Sequence, residues 1–417
     1  MDGWIWTGRK AAVRYRDADR GAELRRIFCA ALALRLIVLA VVMLTPWKDS
    51  FMGINSQLAD DWRYEAGAVN YALLARAPLD PWAFTRAYAV LGDSIGYVLD
   101  QPFVTPPLWY FVVCGLYYLF RSVWAIRILN TVLSSLAAVA TALFAWEVYG
   151  RGAGRTAGWL MALLPYPVLF CCFGFKDNAV MALTMTLLYH ALLVRRGKRL
   201  RPGRIAVICL AALALLLLRS GLSAVLLAVC MLLAVKKPKR SVLLVLAAAG
   251  LVGLAVAWPT ISYKLSFYLD RNASDTETAL SMIKVTGWRD LYKLPFAWLF
   301  AMITPFGLFG GIRSFYDIAV HLNLTLIPLA VGAALFLFRK KEDPLLYYAC
   351  LGYYLVSVIP SLGIFRHLFS VMPLTVVFFS AWAGGMDRNR KQIWLGLTAL
   401  AVLVLCAYYL RRNVLSG

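Results

Sequence analysis

The sequence contains four short polar clusters whose residue types could take part in a chemical reaction. The first is Asp60-Asp61-Trp62-Arg63-Tyr64, which opens an amphipathic stretch from residue 60 to residue 75. A carboxylate can act as a general base, but adjacent helical residues point about 100° apart, so one acid at most should face a given site. Tyr64 lies four residues after Asp60 and shares its helix face. The alternative is a solvated helix start, in which the acids favour the helix dipole.

The other three clusters are basic or mixed in charge. Lys176-Asp177-Asn178 separates two apolar runs, and the alternative there is a plain polar turn. Arg219 lies inside the apolar run from residue 205 to residue 235, and a cation at such depth usually serves a ligand or a pathway. Arg366-His367 stands at the end of another apolar run, where snorkelling to the membrane interface is the alternative. Cations that could bind an anion therefore accompany the candidate bases.

The composition indicates which kind of secondary structure holds these clusters in place. The chain has 417 residues, of which 62% are hydrophobic and 15% charged, and its mean hydropathy is +0.71. These values exclude a soluble globular domain and a disordered chain. Apolar runs such as 27–45, 205–235 and 393–410 can cross a hydrocarbon core of roughly 30 Å as helices, and they lack the alternation of a β-barrel. We therefore expect an all-α polytopic membrane protein.

The distribution of charge predicts the topology. The net charge is +22, from 43 Lys and Arg against 21 Asp and Glu. In a membrane protein these charges must first be assigned to loops, because basic residues are enriched in cytoplasmic loops whether or not the protein binds nucleic acid. The basic surplus concentrates in the N-terminal head and in short segments between apolar runs. These segments are 1–26, 150–155, 195–204, 236–240, 339–341 and 388–391. The positive-inside rule assigns them to the cytoplasm, so the charge indicates topology and not a nucleic-acid partner.

Tracing the chain from a cytoplasmic N-terminus gives about 11 transmembrane helices in a single integral membrane domain, residues 1–417. A first outer loop, 46–123, holds two juxtamembrane helices, near residues 60–75 and 106–120. A second outer loop, 261–316, holds an apolar helix, and the span count is least defined between residues 294 and 338.

The apolar run from residue 205 to residue 235 should be a hairpin, because both of its flanks, Arg204 and Lys236, are basic. Each arm has about 15 residues, or roughly 23 Å of helix, which is shorter than the hydrocarbon thickness. The apex, Arg219-Ser220-Gly221, should therefore lie below the outer surface in a protein cavity.

Seven short motifs, in one order and on one predicted side of the membrane, resemble those of the GT-C membrane glycosyltransferases, especially the aminoarabinose transferase and protein O-mannosyltransferase branch. The motifs are Asp60-Asp61-Trp62-Arg63-Tyr64, Asp100 before the second loop helix, Pro106-Pro107-Leu108-Trp109-Tyr110, Arg127-Ile128-Leu129-Asn130, Lys176-Asp177-Asn178, Arg219-Ser220-Gly221, and Arg366-His367 with Pro373. Two departures are the absence of the DxD metal motif of oligosaccharyltransferase-type relatives and of a large soluble C-terminal domain.

The resemblance implies an inverting transfer of a sugar from a polyprenyl-phosphate donor to a glycan, lipid or protein acceptor on the outer face of a bacterial plasma (inner) membrane. A phosphate leaving group needs no acid, so one general base and cationic groups suffice. By resemblance Asp60 is the catalytic base, with Asp61 and Asp100 as alternates or positioning groups. The residues that would bind the donor phosphate or the substrate are Arg63, Tyr64, Asp100, Lys176, Asp177, Arg219, Arg366 and His367. Whether a divalent cation, Mg or Mn, bridges Asp177 and the donor phosphate stays open.

Two other functions fit parts of the sequence. A polysaccharide polymerase or ligase would use the same lipid carrier and similar outer arginines, but it would transfer an oligosaccharide, so product size separates it from a single-sugar transferase. A flippase or transporter of lipid-linked sugars should have pseudo-symmetric halves with broken helices near mid-membrane. The sequence shows no such halves, and its polar clusters fall on one side.

Overall fold

The computed structural model describes the chain in several stretches. They are residues 17–46, 48–49, 51, 64–66, 68–69, 108–198, 201–234, 292, 314–315, 318, 322–339, 343–358, 369, 371–387, 389, 392, 394 and 396. Within these stretches the ordered elements are helices, and no strand is present. The prediction of an all-α protein is confirmed to that extent.

Ten α-helices lie in the described stretches. They are α1 (Asp17–Met43), α2 (Leu108–Phe120), α3 (Val123–Leu163), α4 (Pro165–Phe170), α5 (Asp177–Arg195), α6 (Pro202–Leu218), α7 (Ser220–Ala234), α8 (Ile327–Leu335), α9 (Pro344–Val358) and α10 (Met372–Gly384). Among the described helices, α1, α3 and α5 are long and apolar enough to cross a membrane. Several shorter apolar helices accompany them, as a membrane protein requires.

Helix α3 is two antiparallel arms joined at Gly150, whose φ of 86° and ψ of −179° lie outside the helical region. Only glycine adopts this backbone conformation without strain. The arms approach closely: a Cβ at Gly158 would lie 2.8 Å from the Cβ of Ala142 and 2.7 Å from Cδ1 of Ile27 on α1. Small residues on α3 therefore allow α1 and both arms to pack as a three-helix layer.

Arg35 fixes this layer from inside. Its side chain is fully buried, and it donates to Ser134 Oγ at 3.0 Å, to the Ala162 carbonyl at 2.9 Å and to the Met161 carbonyl at 2.9 Å. The guanidinium thus satisfies carbonyls at the end of the second arm of α3, which would otherwise have no partner within that helix. Arg35 is a structural link between helices, as its position inside an apolar span suggests.

Of the three described helices long enough to cross a membrane, α5 is the most buried, and it packs against α3, α6 and α7. Helices α6 and α7 also pack on each other, and the break between them falls at Arg219. Residues 202–234 therefore form a helical hairpin, as the basic residues on both sides of this apolar run predict. Helix α9 packs against α7, and α10 packs against both α3 and α8.

The basic segments meet at one end of the bundle. Glu147, at the end of the first arm of α3, binds Arg20 of α1 at 2.7 Å, Arg196 at 3.0 Å and Lys198 at 3.2 Å. Arg195 forms two hydrogen bonds of 2.8 and 2.9 Å with Asp343, just before α9. The basic segments 1–26 and 195–204 thus share one end of the bundle with acids that lie next to the segments 150–155 and 339–341.

The conformation at Gly150 gives a matched pair of glycine substitutions. Replacing Gly150 with Ala places a Cβ where φ is positive, and we expect the free energy of unfolding to fall by about 1–3 kcal/mol. Gly152 is the control, because its Cβ would also meet open space but its φ is not positive, so Gly152→Ala should leave stability unchanged or raise it by up to about 1 kcal/mol. Thermal unfolding in one detergent compares them, and equal effects would contradict a special role for Gly150.

The Arg195–Asp343 pair predicts a pH dependence. Burial alone would raise the pKa of the Asp343 carboxyl, but hydrogen bonds from Arg195 and the Leu346 N–H outweigh it and lower the pKa below its ordinary value of 3.8. The ionised carboxylate thus stabilises the fold above that value, and the contribution is lost as the pH falls through the lowered folded pKa. We expect Asp343→Asn to lower the melting temperature at neutral pH and not at the acid end of a titration. A pH-independent difference would contradict the assignment.

Candidate functional site

Several of the sequence motifs meet at the turn between α4 and α5, residues 171–176. Trp109 of the Pro-Pro-Leu-Trp-Tyr motif donates its indole N–H to the Gly174 carbonyl at 2.8 Å. Asn130 of the Arg-Ile-Leu-Asn motif donates its amide to the Phe173 carbonyl at 2.5 Å. Both donors are buried, so they satisfy turn carbonyls that water does not reach. One residue in each of these two motifs therefore has a structural role, which is to bind a carbonyl of the turn.

A buried ion pair lies beside this turn. Arg127 donates from Nε to Glu65 Oε1 at 2.8 Å and from Nη2 to Oε2 at 2.6 Å, and its guanidinium lies 5.1 Å from the Phe173 ring centroid. Side-chain exposure is 2% for Arg127 and 8% for Glu65. The fit is close, because a Cβ at Gly174 would lie 2.9 Å from Cγ of Glu65. The pair anchors a segment of the first predicted outer loop onto α3 and the turn.

Burial raises the pKa of the Glu65 carboxyl, and the paired Arg127 guanidinium opposes that rise. A carboxylate held by two hydrogen bonds is poorly placed to accept a substrate proton. Glu65 is therefore a positioning residue. The motif analysis missed it, although Arg127 offered a signal: an arginine four residues into an apolar helix needs an acidic partner.

The two loop helices contact each other through tyrosines. Tyr64 is 5% exposed, and its ring packs edge-on against Tyr110 of α2 with centroids 4.8 Å apart. Such a pair stabilises packing by about 0.5–1.5 kcal/mol beyond area burial. The ring of Tyr64, which the resemblance assigns to substrate binding, thus joins the segment after Asp60 and Asp61 to α2.

Two candidate residues form the second ion pair of the site. Arg219 Nη1 lies 3.5 Å from Asp177 Oδ1, with side-chain exposures of 18% and 6%. Ser223 stabilises the apex that carries Arg219. Its hydroxyl oxygen lies 2.6 Å from the Arg219 carbonyl oxygen and 2.8 Å from the Leu215 carbonyl oxygen, and its O–H can donate to either. The Arg219 side chain is therefore largely covered by protein, as the short arms of the hairpin predict. Its link to Asp177 connects the hairpin to the first turn of α5.

Unsatisfied polar atoms lie close to the same turn. Asn178 is fully buried, and within the described part of the chain neither its amide nitrogen nor its oxygen has a hydrogen-bond partner. The Oδ1 atom of Asn130 has none there either. Leaving such atoms unpaired costs about 1–3 kcal/mol each. These atoms can bind water or the hydroxyl groups of a ligand.

Aromatic side chains from the first outer loop and from two later segments pack on the turn and on the end of α4. Phe51 packs at 5.3 Å, centroid to centroid, against both Phe170 and Phe173. Phe315 packs at 5.5 Å against Phe173, and Phe369 at 4.6 Å against Phe170. Phe369 follows His367 by two residues, so the segment after the Arg366-His367 motif reaches this group of aromatic side chains.

The other sequence-predicted residues fall in two groups. Lys176 is half-buried at the start of α5, next to Asp177. The residues that lie outside the described part of the chain are Asp60, Asp61, Arg63, Asp100, Arg366 and His367. Within the described part, no three His, Cys, Asp or Glu side chains form a group suited to a metal ion. Of the candidates, the structure thus pairs Asp177 with Arg219 and brings Tyr64 onto α2.

Comparison with models of protein families, with curated proteins and with solved structures gives no match for this chain.

The Glu65–Arg127 pair can be tested by a double substitution. Glu65→Gln leaves Arg127 buried without an anionic partner, and we expect a loss of about 3–5 kcal/mol in unfolding free energy. Replacing both residues, as Glu65→Leu with Arg127→Met, should restore much of that loss, because the buried charge is gone. Thermal unfolding provides the measurement.

Arg26→Gln is the control, because Arg26 is 75% exposed and lies 4.0 Å from Glu23, so its loss should cost under about 1 kcal/mol. Additive effects of the two site substitutions would contradict a coupled buried pair.

Proposed function

We propose that the chain is a GT-C-type glycosyltransferase that moves a sugar from a polyprenyl-phosphate donor to a glycan, lipid or protein acceptor, with inversion at the anomeric carbon. The observation that carries the proposal is the convergence of four family-like motifs on one turn, through Trp109, Asn130, Asp177 and Arg219. A fifth motif joins them indirectly, because Tyr64 packs on Tyr110, the neighbour of Trp109. Short motifs scattered over 156 residues would have no reason to meet if their matches were accidental.

The two ends of α5 support the proposed sidedness. Asp177 begins the helix at the motif turn, and Arg195 ends it in the basic cluster. Nineteen residues at a rise of about 1.5 Å separate the two ends by roughly 27 Å, close to the thickness of a hydrocarbon core. The basic end faces the cytoplasm in this proposal and the motif turn faces outward, in a plasma-membrane protein of about eleven spans with a cytoplasmic N-terminus.

The proposed chemistry is a single displacement. Asp60, with Asp61 or Asp100 as alternates, accepts the proton of the acceptor hydroxyl while the acceptor oxygen bonds to the anomeric carbon. The bond from that carbon to the donor phosphate oxygen breaks, and the electron pair leaves with the phosphate. No acid is needed for this leaving group, so the protein has to stabilise negative charge.

Differences between the two ion pairs favour Arg219 as the phosphate-binding group. Arg127 is committed to Glu65 through two bonds of 2.6 and 2.8 Å, whereas the contact between Arg219 and Asp177 is 3.5 Å long. A hydrogen bond of this length is weak, and arginine binds phosphate through two parallel hydrogen bonds. Arg366, His367, Arg63 and Lys176 are proposed to complete the binding of donor and substrate. A Mg or Mn ion on Asp177 is an optional part, and chelation with EDTA tests it.

Transfer activity tests the proposal. Purified protein in lipid is incubated with radiolabelled polyprenyl-phosphate monosaccharides and membrane extract, and we expect label to move to a new product. Asp60→Asn should reduce the rate by about 10²–10⁴-fold if Asp60 is the base. Arg219→Gln should reduce it by about 10²–10³-fold, with Arg219→Lys intermediate because lysine retains charge without the planar fork.

Arg204→Gln is the matched control, because Arg204 lies in the first turn of α6 and Arg219 directly follows its last residue. It removes the same charge from the opposite end of that helix and should leave transfer unchanged. Products longer than one sugar unit would support a polymerase instead. Movement of a lipid-linked oligosaccharide between leaflets without transfer would support a flippase.

A further inference from the structure

A cavity of about 190 Å³ opens at the basic end of the bundle, opposite the motif turn. Its lining comes from three parts of the bundle: Val148 and Tyr149 in the first arm of α3, Leu192, Arg195 and Arg196 at the end of α5, and Asp343, Leu346 and Tyr347 at the start of α9. A water molecule takes up about 30 Å³ in the liquid, so the space exceeds what one or two ordered waters need. It belongs to no part of the proposed reaction.

The charges around the cavity favour an anion. Arg20, Arg195, Arg196 and Lys198 surround two carboxylates, Glu147 and Asp343, in direct ion pairs. The cations of this group outnumber the acids by two to one, so the group keeps a positive charge after pairing.

Arg196 is the cation best placed to take a further partner. It lines the cavity, its side chain is 43% exposed, and in the described part of the chain it meets Glu147 through Nη1 alone. A guanidinium has five N–H donors in a planar fork, so Nε and Nη2 retain donors for an oxygen ligand such as a phosphate.

The apolar walls distinguish the type of anion. Val148, Leu192 and Leu346 line the same cavity as the two arginines, and an inorganic ion would gain nothing from these side chains. A phospholipid presents both a phosphate and apolar carbon. Basic pockets between transmembrane helices on the cytoplasmic side are suited to anionic headgroups, because that leaflet carries negative charge.

We propose that the cavity formed by α3, α5 and α9 at the basic end binds the phosphate of an anionic glycerophospholipid headgroup, with Arg196 as a direct ligand. The bound lipid joins three helices whose ends otherwise meet through ion pairs. This inference does not depend on the proposed transferase activity.

Native mass spectrometry of the full chain in detergent, titrated with phosphatidylglycerol, phosphatidylcholine or inorganic phosphate, measures the occupancy. We expect one phosphatidylglycerol to bind at lower concentration than phosphatidylcholine and to raise the melting temperature. Arg196→Gln should weaken phosphatidylglycerol binding about fivefold, the effect of one basic residue near a membrane surface. Val148→Phe, which fills the cavity without changing charge, should abolish the preference for phosphatidylglycerol.

Arg155→Gln is the matched control. Arg155 lies 3.0 Å from Glu23 as Arg196 lies 3.0 Å from Glu147, and its side chain is 61% exposed, but it does not line the cavity. Equal weakening by both arginine substitutions would overturn the site in favour of general charge attraction. An equal effect of inorganic phosphate on wild-type stability would overturn the lipid assignment, and so would unchanged binding in Val148→Phe.

Discussion

The buried Glu65–Arg127 pair is the interaction on which the arrangement of the candidate site depends. Two charges at 2–8% exposure are costly to bury, and only a close, two-bonded geometry offsets that cost. The pair therefore tolerates little displacement. Because Glu65 belongs to the first predicted outer loop and Arg127 to α3, that loop must return to one place on the bundle. Trp109 and Asn130 then hold the turn against which both charged groups rest.

Helix α5 connects the motif turn to the basic end of the bundle. It packs against α3, α6 and α7, and different charged residues surround its two ends. At the motif end Asp177 lies 3.5 Å from Arg219. At the basic end Arg195 and Arg196 join a group of described residues in which cations exceed acids. The positive-inside rule predicts such a surplus of cations at one end of a transmembrane helix.

Much of this fold could be predicted from the sequence, because a membrane limits the possibilities. Apolar length gave the helices, and basic flanks predicted the hairpin that turns at Arg219. The sequence predicted a basic turn at residues 150–155 but not the positive φ of Gly150, because charge and hydropathy do not reveal backbone dihedral angles. Glu65 was missed because the neighbouring acid pair Asp60-Asp61 matched a known motif and Glu65 matched none. Pairing between residues 62 positions apart is a tertiary property, and spacing in one chain does not reveal it.

Burial separates the structural arginines from those that could bind a ligand. Arg35 and Arg127 are fully engaged: one binds helix carbonyls and a hydroxyl, the other a carboxylate, through bonds of 2.6 to 3.2 Å. Neither could take a new anion without leaving buried groups unpaired, which would cost several kcal/mol. Arg219 and Arg196 are partly exposed, with side-chain exposures of 18% and 43%. A partly exposed cation can bind a phosphate at a lower desolvation cost, so burial, more than residue type, singles out the arginines that are suited to bind ligands.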